Sequence, residues 1–107
     1  MIKKIYSYLG FAARARKLCS GYNTCIYQMA KLKLLIITEG ISENSKKKLI
    51  SLAERNNVEY RIYGDADEIS HITGNYGKGV FGILDPGFAK SILDEIDREK
   101  ASDREVF

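Results

Sequence analysis

Three cations, a glycine and a short polar run stand together near the start of the chain: Arg14, Arg16 and Lys17, then Gly21, Tyr22, Asn23 and Thr24. Guanidinium and ammonium groups pair with phosphates. A glycine before a helix lets the backbone come close to a ligand, and amides at a helix start carry partial positive charge that suits a phosphate. Asn23 holds a donor and an acceptor, the combination that reads one edge of a base. Tyr22 offers a ring for stacking. The plainer alternatives are that Asn23 caps a helix and that Tyr22 covers the core. Lys31 and Lys33 add two further cations downstream.

Other groups able to do chemistry are sparse. His71 is the single histidine, and its place in a short helical stretch points to packing or a solvated edge, since no nucleophile, base and orienting group stand around it in the sequence. Cys19 and Cys25 are not spaced as a CxxC pair and read as small core residues. With two cysteines and one histidine there is no convincing metal ligand set and no disulfide scaffold. The stretch 74–79 is glycine-rich but precedes a strand, whereas phosphate-cradling loops follow a strand and open a helix. Gly77-Lys78 is followed by Gly79, not by Ser or Thr. This stretch reads as a lip beside a binding surface or as a plain connector. An enzyme that uses a nucleotide would have to rely on Asp65, Asp67 or His71.

Charge is divided along the chain. Residues 1–54 carry ten Lys/Arg against three Asp/Glu, and residues 55–107 carry seven against eleven. The net charge of +3 therefore hides a basic half and an acidic half. They are either two solvated surfaces or a face that binds polyanions beside one that does not.

The elements that must position these groups alternate. Ile5, Leu9 and Ala12 recur at helical spacing after Ile2, and residues 17–19 form a short strand. Residues 22–30 read as a helix that buries Cys25, Ile26 and Met29. The run 34–38 is continuously apolar up to Thr38, as in a strand covered on both faces. A helix starts at Ser42, whose hydroxyl can cap free amides, and stops near Asn56-Asn57. A strand at 58–63, a short helix at 65–72 ended by Gly74, a strand at 80–84 and a last helix burying Phe88, Ile92, Leu93 and Ile96 complete the order. The 107 residues make one domain over 1–99, with a charged, frayed tail at 100–107. The pattern predicts an α/β fold, with helices on both faces of a small sheet. No apolar run is long enough to span a bilayer, and the opening lacks an apolar leader, so the expected location is the cytoplasm.

The run from Leu9 to Gly21 (LGFAARARKLCSG) resembles the opening of the bacterial YlxQ-type proteins, part of the superfamily of archaeal ribosomal protein "L seven Ae", the kink-turn RNA binders. Residues 34–38 and Ser42-Glu43-Asn44-Ser45 are similar to that family's central strand and next helix. Residues 69–74, 80–83 and 87–90 are similar to its later helix, last strand and final helix. The resemblance implies a three-layer α-β-α sandwich around a mixed four-stranded sheet, and RNA binding without catalysis. A Gly-x-Asn-Glu turn opens the family's second helix at sheared G·A pairs. Gly21 and Asn23 match it, Thr24 stands at the Glu position and Tyr27 at a Lys position. The family's lip loop, which contacts an extruded nucleotide, corresponds here to Tyr76-Gly77-Lys78.

The expectation is thus a small RNA-binding protein, with ribosomal or structured RNA and the ribosome as candidate partners, that needs no cofactor, metal, membrane or small-molecule substrate. Arg14, Arg16, Lys17, Lys31 and Lys33 would contact phosphates. Gly21 would admit the RNA, Asn23 would read a purine, and Tyr22 or Tyr76 would stack, with Thr24, Tyr27 and Lys78 beside them. The alternative is a protein-interaction module on the same fold.

Overall fold

The computed structural model describes residues 3–105; Met1, Ile2 and the last two residues lie outside it. The order is α1 (Lys4–Arg14), β1 (Leu18–Ser20), α2 (Tyr22–Tyr27), a 3-10 turn (Met29–Lys31), β2 (Leu34–Ile37), α3 (Glu43–Arg55), β3 (Tyr60–Ile62), α4 (Ala66–Thr73), β4 (Val80–Ile83) and α5 (Pro86–Glu105). The strands form one mixed sheet in the order β1-β4-β2-β3. β2 runs parallel to β3, and β4 runs antiparallel to both β1 and β2.

The two inner strands explain the layers. Side chains alternate across a pleated strand, so a strand covered on both faces must be apolar throughout. Leu34 and Ile36 of β2, with Phe81 and Ile83 of β4, pack on α1, α4 and α5 through Ile5, Leu9, Ile69, Ile92 and Ile96. Leu35, Ile37 and Val80 pack on the opposite face with Cys25, Met29, Leu49 and Ala53 of α2, the 3-10 turn and α3. Helices on both faces make the fold a three-layer α-β-α sandwich. Phe88 and Leu93 of α5 are only partly buried.

Helix ends follow local chemistry. The Ser42 hydroxyl accepts from the Ser45 amide at the start of α3, and Asn56 ends that helix. Asp65 caps α4 in the same way, and Gly74 ends it in the left-handed conformation.

Several boundaries differ from the sequence expectation. The second helix stops at Tyr27 instead of reaching residue 30, because the chain tightens so that Lys31 and Leu32 donate to the carbonyls of Gln28 and Met29. This brings buried Leu32 over β4 at Gly82, where a Cβ would stand 2.6 Å from the leucine Cδ2. The first strand is Leu18–Ser20 rather than 17–19, since its register begins at the Leu18–Ile83 pair. The third strand shortens to Tyr60–Ile62, after Asn57 takes a positive φ of 56°. The last helix continues to Glu105, through most of the stretch read as a tail.

Candidate nucleic-acid interface

β1, β2 and β3 all end at the same edge of the sheet, where β4 begins. Gly21 turns the chain there from β1 into α2 with φ +100°, a conformation that side chains resist. Its amide donates to the Val80 carbonyl at 2.8 Å, and its carbonyl accepts from the Cys25 amide. A Cβ on Gly21 would lie 3.5 Å from Cδ and 3.7 Å from Nζ of Lys78. The lysine of the α4–β4 loop therefore lies across the Gly21 turn, joining two segments far apart in sequence. The buried Thr38 hydroxyl donates to the Gly79 carbonyl at 2.6 Å and fixes the base of that loop to the end of β2.

From this turn α2 presents two faces. Cys25 and Met29 are buried, whereas Asn23, Thr24, Tyr27 and Lys31 are exposed and follow one another down the outer side. Tyr27 is 90% exposed, an unusual setting for an aromatic ring, and no ring or cation stacks on it among the described residues. Tyr22 is half-buried against the core under α2, which supports the covering role more than a free stacking one. Asn23 is not a cap. The residue at the cap is Gly21, with no side-chain bond, and the Asn23 amide makes no hydrogen bond among the described residues. Tyr76 is 69% exposed, edge-on to the His71 ring at 5.8 Å, so the histidine is a solvated neighbour of the lip.

The remaining cations gather at the opposite end of the sheet. The Lys17 carbonyl accepts from Leu84, and the Lys33 amide donates to Ile83, so these lysines flank the end of β4. Arg16 precedes them with φ +60°. With the three residues of β1 between them, Lys17 and Gly21 stand about 13 Å apart, and α2 with its 3-10 turn runs between the two ends. Lys31 sits toward the Lys33 end. Arg14 lies farther off on α1, its guanidinium 5.1 Å above the Phe11 ring. The structure thus joins Gly21, Asn23 and Lys78 at one end and Arg16, Lys17 and Lys33 at the other, bridged by Thr24, Tyr27 and Lys31.

Ion pairing divides the surface. Among the described residues, the cations in ion pairs are Lys3, Lys46, Arg61, Lys90 and Arg98. None of Arg14, Arg16, Lys17, Lys31, Lys33 or Lys78 is among them. Arg61 grips both oxygens of Asp97 at 2.8 and 3.0 Å and holds that carboxyl below its ordinary range. Lys46, the first of the lysine run on α3, donates to the Glu39 carbonyl and serves the fold. Unpaired positive charge is left around α2, and the acids concentrate on α5 and at the start of α4. Among the described residues no group of three His, Cys, Asp or Glu could hold a metal ion.

One juxtaposition was not legible in the spacing. Gly21 folds β1 back against the first turn of α2, and Cys19 Sγ comes to 3.9 Å from Cys25 Sγ. The signal available was a glycine between two cysteines, which becomes specific only once the turn is known.

The family model described as "Ribosomal protein L7Ae/L30e/S12e/Gadd45 family" matches residues 3–93. Two relatives are called RNA-binding protein YlxQ. One, from Bacillus subtilis (strain 168), is 31% identical over 91 residues, 83% of this chain and 91% of the relative. The other, from Enterococcus faecium, is 34% identical over 98 residues, 89% and 93% of the two chains. A protein of unknown function from Bacillus halodurans superposes with a TM-score of 0.84 at 27% identity, over 88% of this chain and 97% of that one. A 15.5kD RNA binding protein of Giardia lamblia superposes with a TM-score of 0.72 at 15% identity, over 92% of each chain, a likeness of fold.

Proposed function

The chain belongs to the ribosomal protein L7Ae/L30e/S12e/Gadd45 family, and from that premise we propose that it is a small non-catalytic RNA-binding protein. The observation that carries the reading is the exposed strip along α2, where amide, aromatic and cationic groups lie free of ion pairs. Phosphates take the cations at the two ends of the strip, and a purine edge takes Asn23. Tyr27 and Tyr76 supply stacking surfaces for unpaired bases. The target in this reading is a structured RNA of kink-turn type, in ribosomal RNA or a messenger leader, met in the cytoplasm. No helix is long and apolar enough to cross a membrane among the described residues.

Crosslinking in a cell lysate followed by sequencing of the bound RNA tests this. Recovery of one ribosomal or leader segment with an internal loop is the expected result. Recovery of no RNA above background would overturn it. A protein partner is the second reading, favoured by Phe11, which stands 48% exposed on α1; it predicts crosslinks to protein alone.

A further inference from the structure

The turn that carries Asn23 is bracketed by two thiols. Cys19 lies on β1 and Cys25 in the first turns of α2, with five residues between them. Their sulfurs are 3.9 Å apart, both are free, Cys25 is fully buried and Cys19 is half-buried. Two backbone features place them. Gly21 returns the chain at φ +100°. Gly82 leaves the room above β4, since a Cβ there would stand 2.9 Å from Cys19 Sγ. A disulfide has its sulfurs about 2.05 Å apart, so closure needs roughly 1.9 Å of approach, within reach of side-chain rotation and a small shift of α2.

We propose that Cys19 and Cys25 form a redox modification site, in which a peroxide converts the pair to a disulfide and closes a ring around the Gly21–Asn23 turn. Disulfides in reducing compartments are usually transient and catalytic or redox-sensing, and this pair faces itself across a single turn. Cys19 is the attacking group because it is half-buried where Cys25 is fully enclosed, and its contact with Cys25 lowers its thiol while the same contact and burial push Cys25 up. The Cys19 thiolate attacks one peroxide oxygen. A sulfur–oxygen bond forms, the oxygen–oxygen bond breaks, and the departing hydroxide takes a proton and leaves as water. Cys25 then attacks the sulfenic sulfur. The sulfur–sulfur bond forms, the sulfur–oxygen bond breaks, and the Cys25 proton leaves with the hydroxide as a second water. The thiols lose two electrons and the peroxide gains them.

The consequence for binding rests on the RNA reading. Drawing Cys25 toward β1 moves the helix start and with it Asn23, which weakens RNA binding by about tenfold, the loss of one well-made hydrogen bond. The test uses the full chain, hydrogen peroxide, and a hairpin RNA whose internal loop holds tandem sheared G·A pairs. Intact mass and a thiol titration are read before and after dithiothreitol, alongside affinity. The expected result is a mass lower by two hydrogens and no free thiol, with weaker binding, all reversed by the reductant. Cys19→Ser and Cys25→Ala each keep full affinity after peroxide, and circular dichroism checks that both fold. Free thiols that persist, or a Cys19 that gains oxygen without crosslinking, would overturn the proposal, and so would a disulfide that leaves affinity unchanged. If neither redox form binds the probe, the RNA reading fails, and mass alone decides the thiol chemistry.

Discussion

Replacing Asn23 with alanine separates a side chain that serves the fold from one that serves a ligand. The amide is exposed, makes no hydrogen bond among the described residues, and sits inside α2, one residue past its start. Nothing in the folded protein is lost with it. Alanine is the better helix former by roughly half a kcal/mol, so stability should hold or rise slightly. In a domain of this size that is about 2–4 °C in Tm. Binding should move the other way. A side chain that donates to and accepts from one purine edge discriminates by about 1–3 kcal/mol, which is roughly a five- to 150-fold rise in Kd for the preferred RNA. Unrelated RNA, held through phosphates alone, should bind as before. Thermal unfolding and a fluorescence titration with two RNAs measure both effects on one variant. A Tm lowered by several degrees with an equal loss on both RNAs would mean that Asn23 supports the helix and reads no base.

Salt should weaken RNA binding steeply: four to five phosphate contacts give a slope of log affinity against log salt of about −3 to −4 on looped RNA. Lys17→Ala should make that slope shallower by about one unit across all sequences, and a slope near zero would remove the cations from the interface. Gly82→Ala should cost about 1–3 kcal/mol in urea unfolding, because the new methyl meets the Leu32 side chain at 2.6 Å and Cys19 Sγ at 2.9 Å. Unchanged stability there would mean that the 3-10 turn does not rest on β4. Asp97→Asn should flatten the acid limb of the stability curve. Arg61 depresses the folded-state pKa of Asp97, so its contribution is present above the ordinary value of 3.8 and lost as pH falls through the lower folded value. Solvent screening limits that contribution to about 1 kcal/mol or less at neutral pH, and an acid limb that does not change would show the pair to be worth nothing.

Local chemistry made much of the fold readable. The Leu34–Ile37 strand announced its two-sided burial by having no polar residue, since a pleated strand between two helical layers has no solvated face. Ser42 marked a helix start because its oxygen takes an amide that the helix itself leaves free. Gly74 marked an end because a left-handed residue closes the helix there. Boundaries set by contact at a distance were less legible. Periodicity carries α2 on to residue 30, but Leu32 must reach the gap over Gly82, and that tightens the chain after Tyr27.

For the site, residue type and sequence distance set which groups were available, and the sheet set which of them meet. The cations, Gly21, Asn23 and the lip were all visible as chemistry in the order of the chain. Their sorting was not. β1 puts Lys17 at one end of the sheet and Gly21 at the other, with the three residues of the strand between them. The antiparallel run of β4 brings Lys78 back over Gly21 from the far side of the sequence. The meeting of Cys19 with Cys25 likewise depends on a single glycine φ, a backbone angle that residue type permits and only the surrounding hydrogen bonds select.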